Sequence, residues 1–376
     1  MEKFFVHLPY SKERQYGCRA WGVKDQFVVP FPVQSEDWKK AQEWLHQQKG
    51  KTIFTIISYE AGFCHLGIEL KNNPQQPALL FIVPEKWEWT NETESLEPNA
   101  SMAHLSFEAK ESEISYQQKL SSIQQDLQQG NFYETNYCTQ LEAEVETFDA
   151  YAHWKALYQA NPAPFAAYLE WNEHHLLCLS PERFLVKKDN HLMSQPIKGT
   201  IKRGKTEKED IALQHQLLTS KKDQTENTMI VDLVRNDLSK IATTGSVRVT
   251  EKCQLYTFPK LHHLISSVTC DITSETHFTT ILQALFPMGS MTGVPKKKAV
   301  ETMHQLEPAP RGWYSGTLGI IQPNGDFDLN VIIRSIYWNQ QTQVANIGIG
   351  GAITLQSQFK DEYQECWLKA QSLINP

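Results

Sequence analysis

The sequence predicts an α+β fold in which large antiparallel sheets are flanked by helices. Three observations lead there: strand-like runs arrive in pairs, helical patterns fall between the pairs, and no regular strand–helix–strand alternation links them. Near the N-terminus, Ile53, Phe54, Ile56 and Ile57 precede a buried-strand pattern at 78–83, so the first hundred residues read as strand-rich. The stretch 84–102 is acidic and short of aliphatic residues, which predicts a surface linker. It divides the chain into a strand-rich region, 1–103, packing on a larger region, 104–376. In the larger region Ser115 is the expected N-cap of a helix whose stripe is Leu120, Ile123 and Leu127 and whose end is Gly130. Strands follow at 132–141, 165–169, 176–179, 192–197, 316–321, 329–338 and 343–349. Helices are expected at 208–221, 224–241, 275–285, 295–305 and 359–373.

Composition narrows the function. The 376 residues carry 36 Lys+Arg against 43 Asp+Glu, a net charge of −7, and no basic stripe, which argues against nucleic acid as partner. No run approaches the roughly 18–20 apolar residues of a membrane span, and the opening MEKFFVHLPYSKER turns polar too early for a secretory signal, so a cytoplasmic protein is expected. Seven scattered cysteines without a CxxC pair read as buried thiols, giving neither a disulfide framework nor a zinc knuckle.

Five constellations carry chemistry. Asp223 and Glu226 lie three residues apart on one predicted helix, and Glu362 and Glu365 repeat the spacing on the last, so each pair shares a helix face. Facing one another, the pairs would make an oxygen-ligand site for a hard cation such as Mg²⁺; alone, each is equally a solvated helix face. In Ser194-Gln-Pro-Ile-Lys-Gly-Thr200, Lys198 follows an apolar strand. Buried near a cation it would have a lowered pKa and a nucleophilic amine; otherwise it is a snorkelling surface lysine. The turn FPMGSMTGVPK, 286–296, lacks the Gly-Lys-Ser/Thr of a phosphate loop, but its amides can hold an anion at a helix N-terminus. Glycines 348, 350 and 351 after a strand permit a backbone nest for a carboxylate, or simply a tight connection. His262 and His263, on a strand, point to opposite faces, each a structural histidine when read alone.

Together these residues resemble a known family. Lys198 in PIKGT, Glu226 in ENTMIVDLVRNDLSKIA, His263 in HHLISSV, FPMGSMTGVPKKKA, RGWYSGTLG, Asn330 to Arg334 and the closing DEYQE are similar, in order over residues 110–373, to the chorismate-utilising enzymes. The segment IISYEAGFCHLG resembles the family's N-terminal region more faintly. The resemblance implies antiparallel sheets with helices outside, a central active-site cleft, and 104–376 as the chorismate-binding catalytic domain. It implies Mg²⁺ held by Glu226 and Glu365, supported by Asp223 and Glu362. It places Tyr314 and Arg334 on the enolpyruvyl carboxylate, with Ser290, Gly350, Gly351 and Lys369 completing the anion pocket, and it brings Thr200 and His263 into the site.

Within the family, Lys198 stands where anthranilate synthases carry Ala, and PIKGT is similar to the branch that aminates C4 of chorismate. In that branch the lysine adds at C2 as the C4 hydroxyl leaves, and ammonia then attacks C4 and expels it. Glu182 in SPERFL matches the family's general acid/base. Glu134 departs from the family: water-activating members have Lys there and amine-transferring members usually Gln. An acid at 134 argues against water as nucleophile and is placed to accept a proton from incoming ammonium. Ala352 and Gln356 replace a usual glycine and aspartate. The expectation is an aminodeoxychorismate synthase of component I type, for the folate and 4-aminobenzoate route. The alternatives are the C2-aminating anthranilate synthase and a catalytically silent chorismate-binding regulatory protein. No cysteine sits in a G-x-C-x-G context, so ammonia is expected from solution or from a separate glutamine amidotransferase subunit.

Overall fold

The computed structural model describes residues 2–91 and 103–374. The N-terminal region contributes β1 (Phe4–Leu8), β2 (Gly17–Val29), α1 (Ser35–Gln47), β3 (Ile53–Ile57), α2 (Phe63–Leu66) and β4 (Leu79–Thr90). There follow β5 (Glu108–Ala109), α3 (Glu113–Gln128), β6 (Glu134–Glu144), α4 (Ala150–Ala160), β7 (Phe165–Trp171), β8 (His174–Ser180), β9 (Arg183–Lys188), β10 (His191–Gln195) and β11 (Ile197–Lys202). The chain continues through α5 (Glu207–Thr219), α6 (Lys221–Ser239), β12 (Arg248–Thr257), β13 (Leu261–Asp271), α7 (Phe278–Leu285), β14 (Gly293–Val294) and α8 (Lys296–Leu306). It closes with β15 (Thr317–Ile321), β16 (Phe327–Asn330), β17 (Ser335–Asn339), β18 (Val344–Ile353) and α9 (Phe359–Ile374).

Among the described residues every strand pairing is antiparallel, and the pairings form one continuous ladder with two arms. One arm runs β1, β7, β8, β17, β18, β6; the other runs β4, β3, β15, β16, β9, β10, β13; β2 joins β1 to β4. The arms stack face to face, because alternate residues of both enter a shared core: Ala167, Leu176 and Cys178 from one, Phe54, Ile56, Leu80 and Ile320 from the other. The intervening residues point outward and are covered by helices. Leu177, Leu179 and Trp338 meet Leu120 of α3, Trp154 of α4 and Cys366 of α9, while Phe81, Phe184 and Val268 meet Trp38 of α1, Ile230 of α6 and Leu282 of α7. The result is a helix–sheet–sheet–helix sandwich. Strands buried on both faces explain the continuous apolar runs of β3, β8 and β15. The N-terminal strands are hydrogen-bonded into the rest of the ladder through β1 to β7 and β3 to β15.

Several elements differ from the sequence reading. Helix α3 is capped by Ser112, whose hydroxyl accepts from the Ser115 amide at 3.2 Å, so Ser115 lies inside the first turn. The strand expected at 192–197 is two strands, since Pro196 has no N–H for the ladder. The strand expected at 329–338 is also two, because residues 331–334 carry the chain from one arm to the other and Arg334 takes φ 51°. The first part of the expected linker is strand, residues 84–90 pairing with β2; residues 92–102 lie outside the described residues. The glycines at 348–351 form neither nest nor tight connection but run inside β18, in register with β6 from Val344 to Ile353.

Candidate active site

Two short links cross between the arms, one between β8 and β9 and one between β16 and β17, and they carry Glu182 and Arg334. Around them gather the start of β6, strand β11, the turn at 289–291 and the acidic helices α6 and α9. Lys198 is at the centre. Its side chain is 10% exposed and Nζ donates to Glu134 Oε1 at 3.0 Å; Glu134 is wholly buried and its Oε2 has no hydrogen-bond partner among the described residues. Burial, the largest influence on Lys198, disfavours the ammonium, but Glu134, Glu226 and Glu182 outweigh it and hold the pKa above the ordinary lysine value. The carboxylates that surround the amine set the direction of this shift.

Glu182 is buried in the link after β8, and its amide donates to Ser180 Oγ at 3.1 Å. Burial pushes its carboxyl up to about 7, against the opposing pull of the Ser290 hydroxyl and Lys198. A carboxyl there is poised to give or take a proton near neutrality. Thr200 Oγ1 and His263 Nδ1 are 2.8 Å apart across β11 and β13, where the two residues are register partners. Burial, with help from Arg334 and His262, lowers His263 to about 4, so its imidazole is neutral. His262 turns to the other face and meets Asp210 at 2.9 Å, a structural contact.

Two acid pairs face each other across α6 and α9. Burial raises Glu226 to about 7, with Glu134 and Asp223 adding to the effect and Lys198 and Lys222 opposing it; its Oε1 is buried without a hydrogen-bond partner among the described residues. Asp223 lies over β11, since a Cβ built on Gly199 would come 3.1 Å from Asp223 Cβ. On α9, Glu362 accepts from Ser357 Oγ at 2.7 Å, and Glu365 pairs with Lys369 Nζ at 2.7 Å. Burial works against the Glu365 carboxylate, but Lys369, Lys222 and Lys198 prevail and lower its pKa. Lys222 Nζ stands 3.9 Å from Glu226 Oε1 and 3.5 Å from Glu362 Oε1, so a single cation already bridges the two helices. Among the described residues no group of three or more His, Cys, Asp or Glu is gathered to hold a metal. What α6 and α9 offer is carboxylate oxygens, one of them, Glu226 Oε1, unpartnered among the described residues, which suits a cation that takes one or two carboxylates and keeps its waters.

The anion pocket is less uniform. Gly350 O accepts from Lys369 Nζ at 2.7 Å, and a strand residue sends its N–H the same way as its C=O, so the Gly350 amide also faces that lysine. A Cβ on Gly351 would lie 3.5–3.7 Å from Glu362, Lys369 and Glu365. The Tyr314 ring packs directly on Gly348, where a Cβ would come within 2.2 Å of it. Burial is the main pull on Arg334 and lowers its pKa, opposed by Tyr314 and Glu365, while its Nη1 donates to Lys369 O and Ser372 Oγ, each at 3.3 Å. A cavity of about 330 Å³ borders Tyr314 and Gly348 but extends over Arg311, Gln140 and Asn346 rather than over Lys198. Sequence reasoning missed Lys222 and Ser357. The first had a visible signal, standing four residues before Glu226, and the second had none. The direct contact of Glu134 with Lys198, 64 residues away, was also not foreseen.

The profile of the family described as chorismate binding enzyme matches residues 10–375. Aminodeoxychorismate synthase component 1 of Escherichia coli strain K12 is 36% identical over 260 residues, covering 69% of this chain and 56% of that protein. The chloroplastic aminodeoxychorismate synthase of Arabidopsis thaliana is 38% identical over 386 residues, covering 100% of this chain and 41% of that protein. The chain spans 31% to 57% of the length of such curated relatives. Among solved structures, anthranilate synthase component I from Streptococcus pneumoniae TIGR4 superposes with a TM-score of 0.85 at 21% identity, covering 98% of this chain and 94% of that one. The menaquinone-specific isochorismate synthase of E. coli gives 0.79 at 17% identity, covering 100% and 89%. These two share the fold, α+β with antiparallel sheets. Matched along nearly its whole length, the chain belongs to the chorismate binding enzyme family.

Proposed function

We propose that this chain aminates chorismate at C4, giving 4-amino-4-deoxychorismate, through a covalent adduct on Lys198. The observation that carries the reading is a primary amine at 198, nearly buried and ringed by Glu134, Glu182 and Glu226. The names of the curated relatives support the C4 chemistry. Lys198 Nζ, once deprotonated, bonds to ring carbon C2 as both ring double bonds shift, C1=C2 to C1=C6 and C5=C6 to C4=C5, and the C4 hydroxyl departs as water, protonated by Glu182. Ammonia then attacks C4, both double bonds return to C1=C2 and C5=C6, and Lys198 leaves from C2 with its electron pair. Arg334, Tyr314 and the Gly350 amide orient the enolpyruvyl carboxylate. Glu226 and Glu365, backed by Asp223 and Glu362, would hold Mg²⁺, which neutralises the ring carboxylate that four acidic side chains would otherwise repel. The component 1 in the relatives' names points to a second component, which we assign as a separate glutamine amidotransferase that supplies ammonia.

Identification of the product formed from chorismate, Mg²⁺ and ammonium tests the reading. The expected product is 4-amino-4-deoxychorismate, which yields 4-aminobenzoate only after a separate lyase is added, and no product is expected when Mg²⁺ is chelated. Fluorescent anthranilate with free pyruvate would refute it, and chorismate binding without consumption would favour the silent regulatory protein. Among the described residues no helix is long and apolar enough to cross a membrane.

A further inference from the structure

The N-terminal segment Ser58-Tyr59-Glu60-Ala61-Gly62 contributes nothing to the chemistry above, yet it carries a carboxylate that is only 3% exposed. Both oxygens of Glu60 are used on one turn: Oε1 accepts from the Arg311 amide at 2.6 Å and Oε2 from the Gly312 amide at 3.0 Å. The Tyr59 amide returns a bond to Gly312 O at 2.8 Å, and the Tyr59 ring lies 4.2 Å beneath the Arg311 guanidinium. That turn needs an external hold, because Gly312 and Ser315 both adopt left-handed backbone, φ 59° and 61°. Tyr314 sits between them.

The same arginine reaches further. Its guanidinium donates to Met291 O at 2.8 Å, in the turn that bears Ser290, and to Asn136 O at 2.9 Å, two residues from Glu134. It also pairs with Glu307, whose Oε1 accepts from the Cys138 amide at 3.0 Å. Gly62 closes the arrangement, since a Cβ there would come 2.4 Å from Pro287 Cδ, four residues before Met291. One buried acid from the N-terminal region therefore braces the turn of Tyr314 directly and, through Arg311, two further pieces of the site.

We propose that Glu60 is a positioning residue of the chorismate site: its carboxylate fixes turn 311–315 and so sets the orientation in which Tyr314 receives the substrate carboxylate. The inference rests on the reading that Tyr314 contacts chorismate. Glu60 touches no reacting atom.

The test is a double-mutant cycle of Glu60→Gln with Tyr314→Phe, reading chorismate KM, kcat and the unfolding midpoint of each protein. A glutamine of the same shape offers one acceptor oxygen to two amides. Glu60→Gln is expected to fold cooperatively with a KM for chorismate raised about tenfold and a smaller change in kcat. On the Tyr314→Phe background the same change is expected to add less than about twofold, because the residue through which it acts is already altered. A merely structural role would lower the unfolding midpoint and the active fraction without moving KM. An unchanged KM in a folded Glu60→Gln protein, or a full multiplicative effect on Tyr314→Phe, overturns the inference. Should Glu60→Gln not fold, Glu60→Asp, which keeps the charge and withdraws it by one methylene, is read by the same criteria. Failure of the wild-type protein to bind chorismate overturns both the inference and the reading beneath it.

Discussion

Replacing Lys198 by alanine separates the chemistry of the site from its stability. The change removes the donor on Glu134 Oε1, 3.0 Å away, and among the described residues Oε2 already has none, so a fully buried carboxylate loses the one cation paired with it among those residues. Breaking a buried pair from one side costs about 3–5 kcal/mol of folding free energy. Removing both charges with Lys198→Met and Glu134→Gln together leaves no orphaned ion, and most of that loss is expected to return. Turnover behaves differently. Without an amine at 198 there is no adduct, so both the single and the double variant should lose at least ~10³-fold in kcat, about 4 kcal/mol of barrier. Urea unfolding midpoints report the first quantity, and chorismate consumption followed by chromatography the second. A Lys198→Ala protein that turns over within tenfold of wild type would refute the covalent route. A double variant no more stable than the single one would refute the account of the pair.

Further expectations follow from single contacts. Glu134 is among the carboxylates that raise the Lys198 pKa, so Glu134→Gln should free the amine at lower pH and move the rising limb of the pH–rate profile downward; an unmoved limb would exclude the pair as its cause. Glu182, raised to about 7 by burial, favours folding in its neutral form, so its contribution falls as pH rises from about 4.5 through 7. Glu182→Gln should accordingly gain up to about 3 kcal/mol of stability relative to wild type between pH 4.5 and 8 in urea titrations, while kcat drops by about 10²–10⁴-fold. Gly348→Ala would drive a Cβ to 2.2 Å from the Tyr314 ring and should raise the chorismate KM, whereas Gly351→Ala meets its neighbours at 3.5 Å or more and should fold with near-normal stability. Equal thermal midpoints and equal KM for the two alanine variants would contradict that contrast.

How far the site could be read from sequence depends on the range of the contact. The acid pairs of α6 and α9 were legible because three-residue spacing is a local property of a helix. The opposite facing of His262 and His263 was legible for the same reason on a strand. By contrast, the Glu134–Lys198 bond joins the start of β6 to β11, and nothing in either segment names its partner. The glycines of β18 were misread because a flexible composition does not reveal that β6 holds ten residues of it in register. Helix α1 escaped notice because Gln and Lys surround the few residues it buries, Trp38 and Ala41. β12 is broken by register shifts on either side of Glu251, the second spanning Cys253 at φ 49°, and is half-exposed, so it carries no clear alternation. Pro196 was the one local mark of a strand break, and its meaning depended on a ladder not visible in sequence.

Intact-protein mass spectrometry after mixing with chorismate and Mg²⁺, in the absence of ammonium, tests most directly whether Lys198 is the nucleophile. The account predicts a mass increase equal to chorismate less one water, mapped by proteolysis to Lys198 and discharged when ammonium is added. An unchanged mass while ammonium-dependent amination proceeds, or an adduct on another residue, would contradict it.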